Sequence, residues 1–390
     1  MDAFSLIQLL AWVVVAAVAF LFAATGGFDL GAGMLTPFLG RTDAERRVIV
    51  NTVGPTWDGN QVWLIIAGGA IFAIWPRVYA ASFSGFYFAI LVVLWGLFWR
   101  PVAFEYRSKL PSQRWRTFWD WALCIGSLLP ALIMGVGIGN VFLGVPFQFD
   151  PFSLRFFYGH TMADSSGLID LLGLLRPFAL LIGVMSVVMM LMHGASYLTM
   201  RTQGIIHRRS QKCLTLMASL LIILFAIAGL WLAVGVTGYH YHAQPHAMLH
   251  PLHNQVTQSV GGWMGNYTQH SWMVVAPIVG FLGLLALLFF NAKQRHVAAF
   301  VSSAVAVLGI VFTGALSLFP FIMPSSLKPA QSLLVWNASS SEISLIGILV
   351  VAVIALPVIF FYTHFVYRKL WQRGQKMDEA AVKKDEHVLY

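Results

Sequence analysis

Apolar runs of about twenty residues recur along the chain, and no other feature restricts its fold as strongly. A helix of that length crosses about 30 Å of hydrocarbon, where each backbone N–H and C=O must be satisfied within the segment. Nine runs fall at roughly 6–28, 55–75, 79–99, 119–143, 169–199, 213–237, 272–291, 297–319 and 343–367. The pair within 55–99 is tight and broken at Trp75-Pro76. The fifth run is long enough to tilt or protrude. Only 10% of the 390 residues are charged, against roughly a quarter in soluble domains. The first run lacks a basic n-region and a small-residue cleavage site, so it reads as a retained helix and not as a signal peptide. The predicted fold is an all-α polytopic integral membrane protein with nine transmembrane helices. Residues 1–390 form a single membrane domain, and 368–390 are a polar tail that reads as frayed.

The basic residues orient the chain. Arg41, Arg46 and Arg47 follow the first run, and Arg100, Arg107, Lys109, Arg114 and Arg116 follow the third. Arg201, Arg208, Arg209 and Lys212 follow the fifth, Lys293 and Arg295 the seventh, and six more lie in the tail. Only Arg77, Arg155, Arg176 and Lys328 fall in the alternate loops. The N-terminus is therefore predicted outside and the C-terminus in the cytoplasm. This segregation accounts for the net charge of +9 without a nucleic-acid partner.

Three acids sit close to hydrocarbon, where acids usually face a bundle interior or a water-filled cavity. Asp29 lies in GGFDLGAG at the expected end of the first helix, where it could cap a glycine-rich turn. Asp58 opens the second in GPTWDGNQVW, either as a helix N-terminal acid or as a proton entry supported by Asn60 and Gln61. Asp120 opens the fourth near Arg114 and Arg116, which could pair with it. Trp57 and Trp63 read as interface anchors and core packing. His193 is the one histidine well inside a run, and it has no matching partner for a bis-histidine heme. The outer histidines His240, His242, His246, His250, His253 and His270 match no metal spacing and read as loop residues. Cys124 and Cys213 read as small buried hydrophobes. Ser339-Ser340-Ser341-Glu342 reads as a helix N-cap region.

The segments GFDLGAGML (27–35), ERRVIVNTVGPTWDGNQVWLIIAGGAIFAIWPRVYAASFSGFY (45–87), FWRPVAFEYRSK (98–109) and LFPFIMPSS (318–326), with the ending HVLY, closely resemble subunit II of the cytochrome bd quinol oxidase family. The resemblance runs the whole length. It implies two four-helix bundles plus one peripheral helix, in the bacterial inner (cytoplasmic) membrane among membrane lipids. It implies a complex that oxidises quinol and reduces dioxygen to water, taking protons from the cytoplasm. Heme b and heme d are expected on a partner, subunit I, with small single-helix subunits alongside. No catalytic residue or metal is expected in this chain, and a structural ubiquinone is one it could carry. By the resemblance, Asp58 matches a proton-path acid, and Asp29 and Asp120, which match acids of the family pattern, are assigned to the same path. Trp63 matches a tryptophan of an oxygen route, with Trp57 beside it in an aromatic wall. Gly26 and Asn337 depart from the pattern, standing where relatives often have acids. Two other functions compete with this one. A proton-coupled secondary transporter would place polar residues at the midplane of broken helices, whereas here the acids lie toward one face. A scaffold of a heme subunit would leave turnover independent of any residue in this chain.

Overall fold

Asp2 starts the first helix by accepting a hydrogen bond from the Ser5 N–H, and α1 then runs unbroken over Ala3–Leu39. In this computed structural model the described residues are 2–150, 156–158, 172–242, 252–372 and 376–384. At about 1.5 Å per residue α1 is about 55 Å long, well beyond a hydrocarbon core. It therefore continues past residue 28, where the sequence suggested an end. GGFDLGAG is not a turn. Its glycines lie inside the helix and let neighbouring backbones approach. A Cβ on Gly31 would fall 1.9 Å from the Met190 carbonyl oxygen, and one on Gly194 would fall 2.5 Å from the Ala32 nitrogen.

A short amphipathic helix, α2 (Asp43–Val53), follows and is closed by a capping box between Thr42 and Glu45. Next come α3 (Trp57–Ile74), α4 (Pro76–Gly85) and α5 (Tyr87–Tyr106). The break expected at Trp75-Pro76 is present as a 120° bend between α3 and α4. Proline fits the first position of α4 because its missing N–H would have no partner there. The next long helix begins at Tyr87, eight residues later than the sequence indicated, because α4 occupies the interval. The remaining helices are α6 (Gln113–Leu143), α7 (Pro177–Arg201), α8 (Gly204–Val234), the short α9 (Gly265–Gln269), α10 (Val275–Ala292), α11 (His296–Leu318), α12 (Glu342–Gln372) and α13 (Glu379–Lys384). Among the described residues eight helices are long and apolar enough to cross a membrane, and the bent α3–α4 pair raises the number to as many as nine.

The molecule is not purely helical. Three antiparallel two-stranded ribbons pair β1 (Phe147–Phe149) with β2 (Phe156–Tyr158), β3 (Thr237–Tyr241) with β4 (Val256–Val260), and β5 (Phe321–Met323) with β6 (Leu333–Leu334). They occupy connections of the class opposite to the arginine-rich loops. His240 lies in β3 and His242 just after it, and they hydrogen-bond to Ser259 Oγ and Thr257 Oγ1 on β4, each at 3.0 Å. His246 and His250 lie outside the described residues. Ser341 caps α12 by accepting from the Ser344 N–H, as its position before Glu342 suggested.

α1 is the central element and packs against α3, α6, α7, α11 and α12. The largest apolar cluster joins α1, α2 and α7 to α8, α10 and α11. The tail is not frayed between 376 and 384. The backbones of Met377, Arg201 and Gln203 hydrogen-bond, Gln203 Nε2 donates to Asp378 Oδ2 at 2.7 Å, and Val382 is buried in the main core. One apolar side chain at the right spacing overrides the tail's polar composition.

Candidate functional site

The site lies where the C-terminal halves of α1, α5 and α12 meet the start of α3. α3 separates the residues of the WDGNQ motif. At about 100° per residue, positions 58 and 60 point to nearly opposite sides. Asp58 is exposed, at the head of an exposed stripe of Val62, Ile65, Gly69 and Phe72. Asn60 is 2% exposed and points inward, followed on that face by Trp63 at 3%.

Asp29, fully buried on α1, receives Asn60. Asn60 Nδ2 donates to Asp29 Oδ2 at 2.5 Å, and the Thr56 hydroxyl lies 3.5 Å from Oδ1. The Tyr367 hydroxyl on α12 donates to Asn60 Oδ1. Arg100 on α5 acts on Asp29 electrostatically. Its side chain is 1% exposed, and Nε, Nη1 and Nη2 have no hydrogen-bond partner among the described residues. Both amide atoms of Gln61 and the Ser127 hydroxyl are likewise buried without one. Such groups normally bind protein or ordered water. The helices thus surround a carboxylate with donors and place a buried cation near it. Asp29 lies ten residues from the end of α1, a depth of about 15 Å.

Asp120 is in a different environment. Its oxygens accept from Arg107 Nε at 2.6 Å, Arg107 Nη2 at 3.3 Å and Arg46 Nη1 at 2.9 Å. Arg107 also reaches Asp43 Oδ1 at 2.8 Å, and Arg116 holds Asp43 Oδ2 at 2.6 Å. This network ties α2 to the C-terminal end of α5 and the start of α6. Of the two arginines near Asp120 in sequence, Arg116 serves Asp43 instead. Glu45 closes the same end of the molecule. Burial opposes its charge, but the Arg41 N–H at 2.5 Å, the Arg209 guanidinium at 2.7 Å and the Thr42 N–H hold its carboxyl below the ordinary value.

Trp57 stacks on Phe104 with centroids 5.2 Å apart. Trp63 belongs to an apolar cluster with Val18, Phe22 and Leu30. Between α1, α3 and α12 runs an apolar groove of about 720 Å³ whose walls include Gly69, Ala73, Gly347 and Ala352. His193 has both ring nitrogens engaged, Nδ1 with Ser303 Oγ and Nε2 with the Ala24 carbonyl, each at 2.7 Å. The described residues contain no group of three or more His, Cys, Asp or Glu side chains placed to hold a metal.

The structure brings Asp29 and the WDGNQ motif together. It leaves Asp58 on the outer face of α3 and Asp120 in a separate ion-pair network. Sequence reasoning missed Arg100, which it counted among loop cations, and Tyr367. The signal for Arg100 was its place between Trp99 and Pro101 at the end of an apolar run. Nothing local distinguishes Tyr367 from other tyrosines.

The family described as cytochrome bd terminal oxidase subunit II matches residues 7–370. The chain is 41% identical over 394 residues to cytochrome bd-I ubiquinol oxidase subunit 2 of Escherichia coli strain K12, covering 99% of each. It is 32% identical to cytochrome bd ubiquinol oxidase subunit 2 of Bacillus subtilis, covering 92% of this chain and 95% of the other. Its fold is similar to a chain of the bd oxidase from Geobacillus thermodenitrificans, with a TM-score of 0.68, 14% identity and coverage of 95% and 99%.

Proposed function

This chain belongs to the cytochrome bd terminal oxidase subunit II family and is a component of an oxidoreductase complex, and from that premise we propose that its buried carboxylate serves proton delivery to oxygen reduction. The family match favours this role over a secondary transporter. Four electrons and four protons convert dioxygen to two waters, and two quinols supply the electrons while releasing four protons. Uptake from the cytoplasm with release outside charges the membrane. Hemes b and d in subunit I supply the electron transfer and the oxygen chemistry. The placement of the hemes on the partner is supported by His193, whose ring nitrogens are both committed within this chain.

The observation that carries the proposal is the contact of Asn60 with Asp29, which joins two sequence-distant motifs around one buried acid. Arg100 keeps the ionised acid accessible at low dielectric cost, and the orphan atoms of Arg100, Gln61 and Ser127 are sites for water through which a proton can move. Asp58 lies on the face of α3 turned away from this chain. An acid on such a stripe is costly against lipid, so the stripe fits subunit I, with Asp58 admitting protons between the subunits. Asp120, which shares the family pattern with the other two acids, anchors helices in this reading. The segregation of basic residues supports a topology with the N-terminus outside, nine crossings and all three acids at the cytoplasmic side, in the bacterial inner membrane that the family reading implies. Two four-helix bundles with α12 peripheral suit a helix that buries little of its surface. Trp63 and its apolar neighbours form the wall of an oxygen route, with Trp57 at its cytoplasmic end. The groove beside them suits the isoprenoid chain of a structural ubiquinone. Small single-helix subunits and lipids complete the surroundings.

The test is oxygen consumption by the purified complex, per heme, with Asp29→Asn or Asp58→Asn. Each should slow turnover at least tenfold with hemes retained. Wild-type rates in both would leave this chain a scaffold.

A further inference from the structure

Tyr367 sits on α12, the long helix that buries least of itself in this chain, yet its hydroxyl reaches α3. By donating to Asn60 Oδ1 it determines which end of that amide faces inward. Nδ2 remains to donate to Asp29 Oδ2. A side-chain amide has one accepting end and one donating end. The donating end stabilises an ionised carboxylate, and the accepting end favours a protonated one. The tyrosine hydroxyl holds the amide at its accepting end, and without it only the contact with Asp29 itself orients Asn60.

We propose that Tyr367 is a positioning residue that locks the Asn60 amide with its donor toward Asp29, so that α12 sets the charge state of the buried acid. This rests on the reading of Asp29 as a proton carrier, and it adds a control point on a peripheral helix. The charged and titratable groups around Asp29 are Arg100 from α5, Tyr367 from α12, and His193 and Tyr197 from α7. Asp120 from α6 is held by Arg107 and Arg46. From α2, Asp43, Glu45 and Arg46 are engaged in the network beyond the helix ends, and Arg47 is buried nearby. Asp58 of α3 points away. Among these groups of the described residues, Tyr367 is the one that hydrogen-bonds to the amide that touches the acid.

The experiment uses the assembled complex as wild type, Y367F, N60A, Y367F/N60A and D29N. Infrared difference spectra follow the carboxylic C=O band that D29N abolishes, as a function of pH, alongside turnover. Loosening the amide that donates to the carboxylate should let that band persist to higher pH by up to about one unit in Y367F. N60A should give a shift of similar size, and the double variant should add nothing. An unshifted midpoint in Y367F, an additive shift in the double variant, or no D29N-sensitive band over the accessible pH range would each overturn the proposal. If Y367F lowers heme content, the spectra are taken on the heme-replete fraction of the same preparation, where an unshifted midpoint still overturns the lock. Wild-type turnover in D29N would instead sink the proton-carrier reading, while the band positions would still decide the amide lock.

Discussion

Replacing Asp120 by Asn separates anchoring from proton transfer. The substitution keeps the shape and removes the charge. Asp120 accepts three hydrogen bonds from two guanidinium groups, and an amide offers one accepting oxygen and turns its NH₂ toward a cation. Breaking a buried ion pair by removing one partner costs about 3–5 kcal/mol. Two features place Asp120→Asn at the lower end. Arg107 retains Asp43 at 2.8 Å, and Arg46 retains the Gly40 carbonyl at 2.9 Å. The expected loss is about 3 kcal/mol. The more exposed Arg116–Asp43 pair contributes less, so Arg116→Ala should cost about 1 kcal/mol or less. The assay is thermal unfolding of the solubilised complex followed by tryptophan fluorescence, with turnover per heme measured on the same preparation. Asp120→Asn should unfold at lower temperature and turn over normally while folded. Unchanged stability with slowed turnover would refute this reasoning and put Asp120 on the proton path.

Three further outcomes are expected. Glu45 has a folded-state pKa below its unfolded value of 4.5, so its stabilisation is present above that value and is lost as the pH falls through the depressed folded value. Unfolding titrations into acid should show this loss, and Glu45→Gln should flatten that segment. Arg100→Met should lower stability only modestly, because the buried acid it faces can take up a proton instead of remaining an unpaired charge. It should nonetheless slow turnover several-fold, and equal loss of stability and activity would contradict this. Gly347→Leu together with Ala352→Phe should fill the groove between α1, α3 and α12. Quinone extracted per complex should then fall to less than half, and unchanged content would place the quinone elsewhere.

Much of the fold was legible because hydrocarbon imposes length and apolarity on each span. The bend at Trp75-Pro76 and the cap at Ser341 were readable from local chemistry. What escaped was set by contacts between distant segments. α1 crosses α7 with Gly31 against Gly194, and no glycine count reveals such a crossing. The order of residues 376–384 depends on Val382 entering the core. At the site, Asp29 and Asn60 were both visible as polar residues near an interface, but their meeting was not. Arg100 carried the same positive sign as true loop arginines, and only packing shows that it is buried. Asp58 and Asn60 looked like one motif, and helical geometry points them to opposite faces.

The central claim is that a carboxylate of this chain carries protons to the oxygen chemistry of its partner. Its most direct test is the rate of proton uptake when the fully reduced complex with Asp29→Asn meets oxygen, recorded with a pH indicator on the cytoplasmic side of reconstituted vesicles. Uptake at least tenfold slower than wild type, with hemes and assembly intact, is the predicted result, and wild-type uptake kinetics would contradict it.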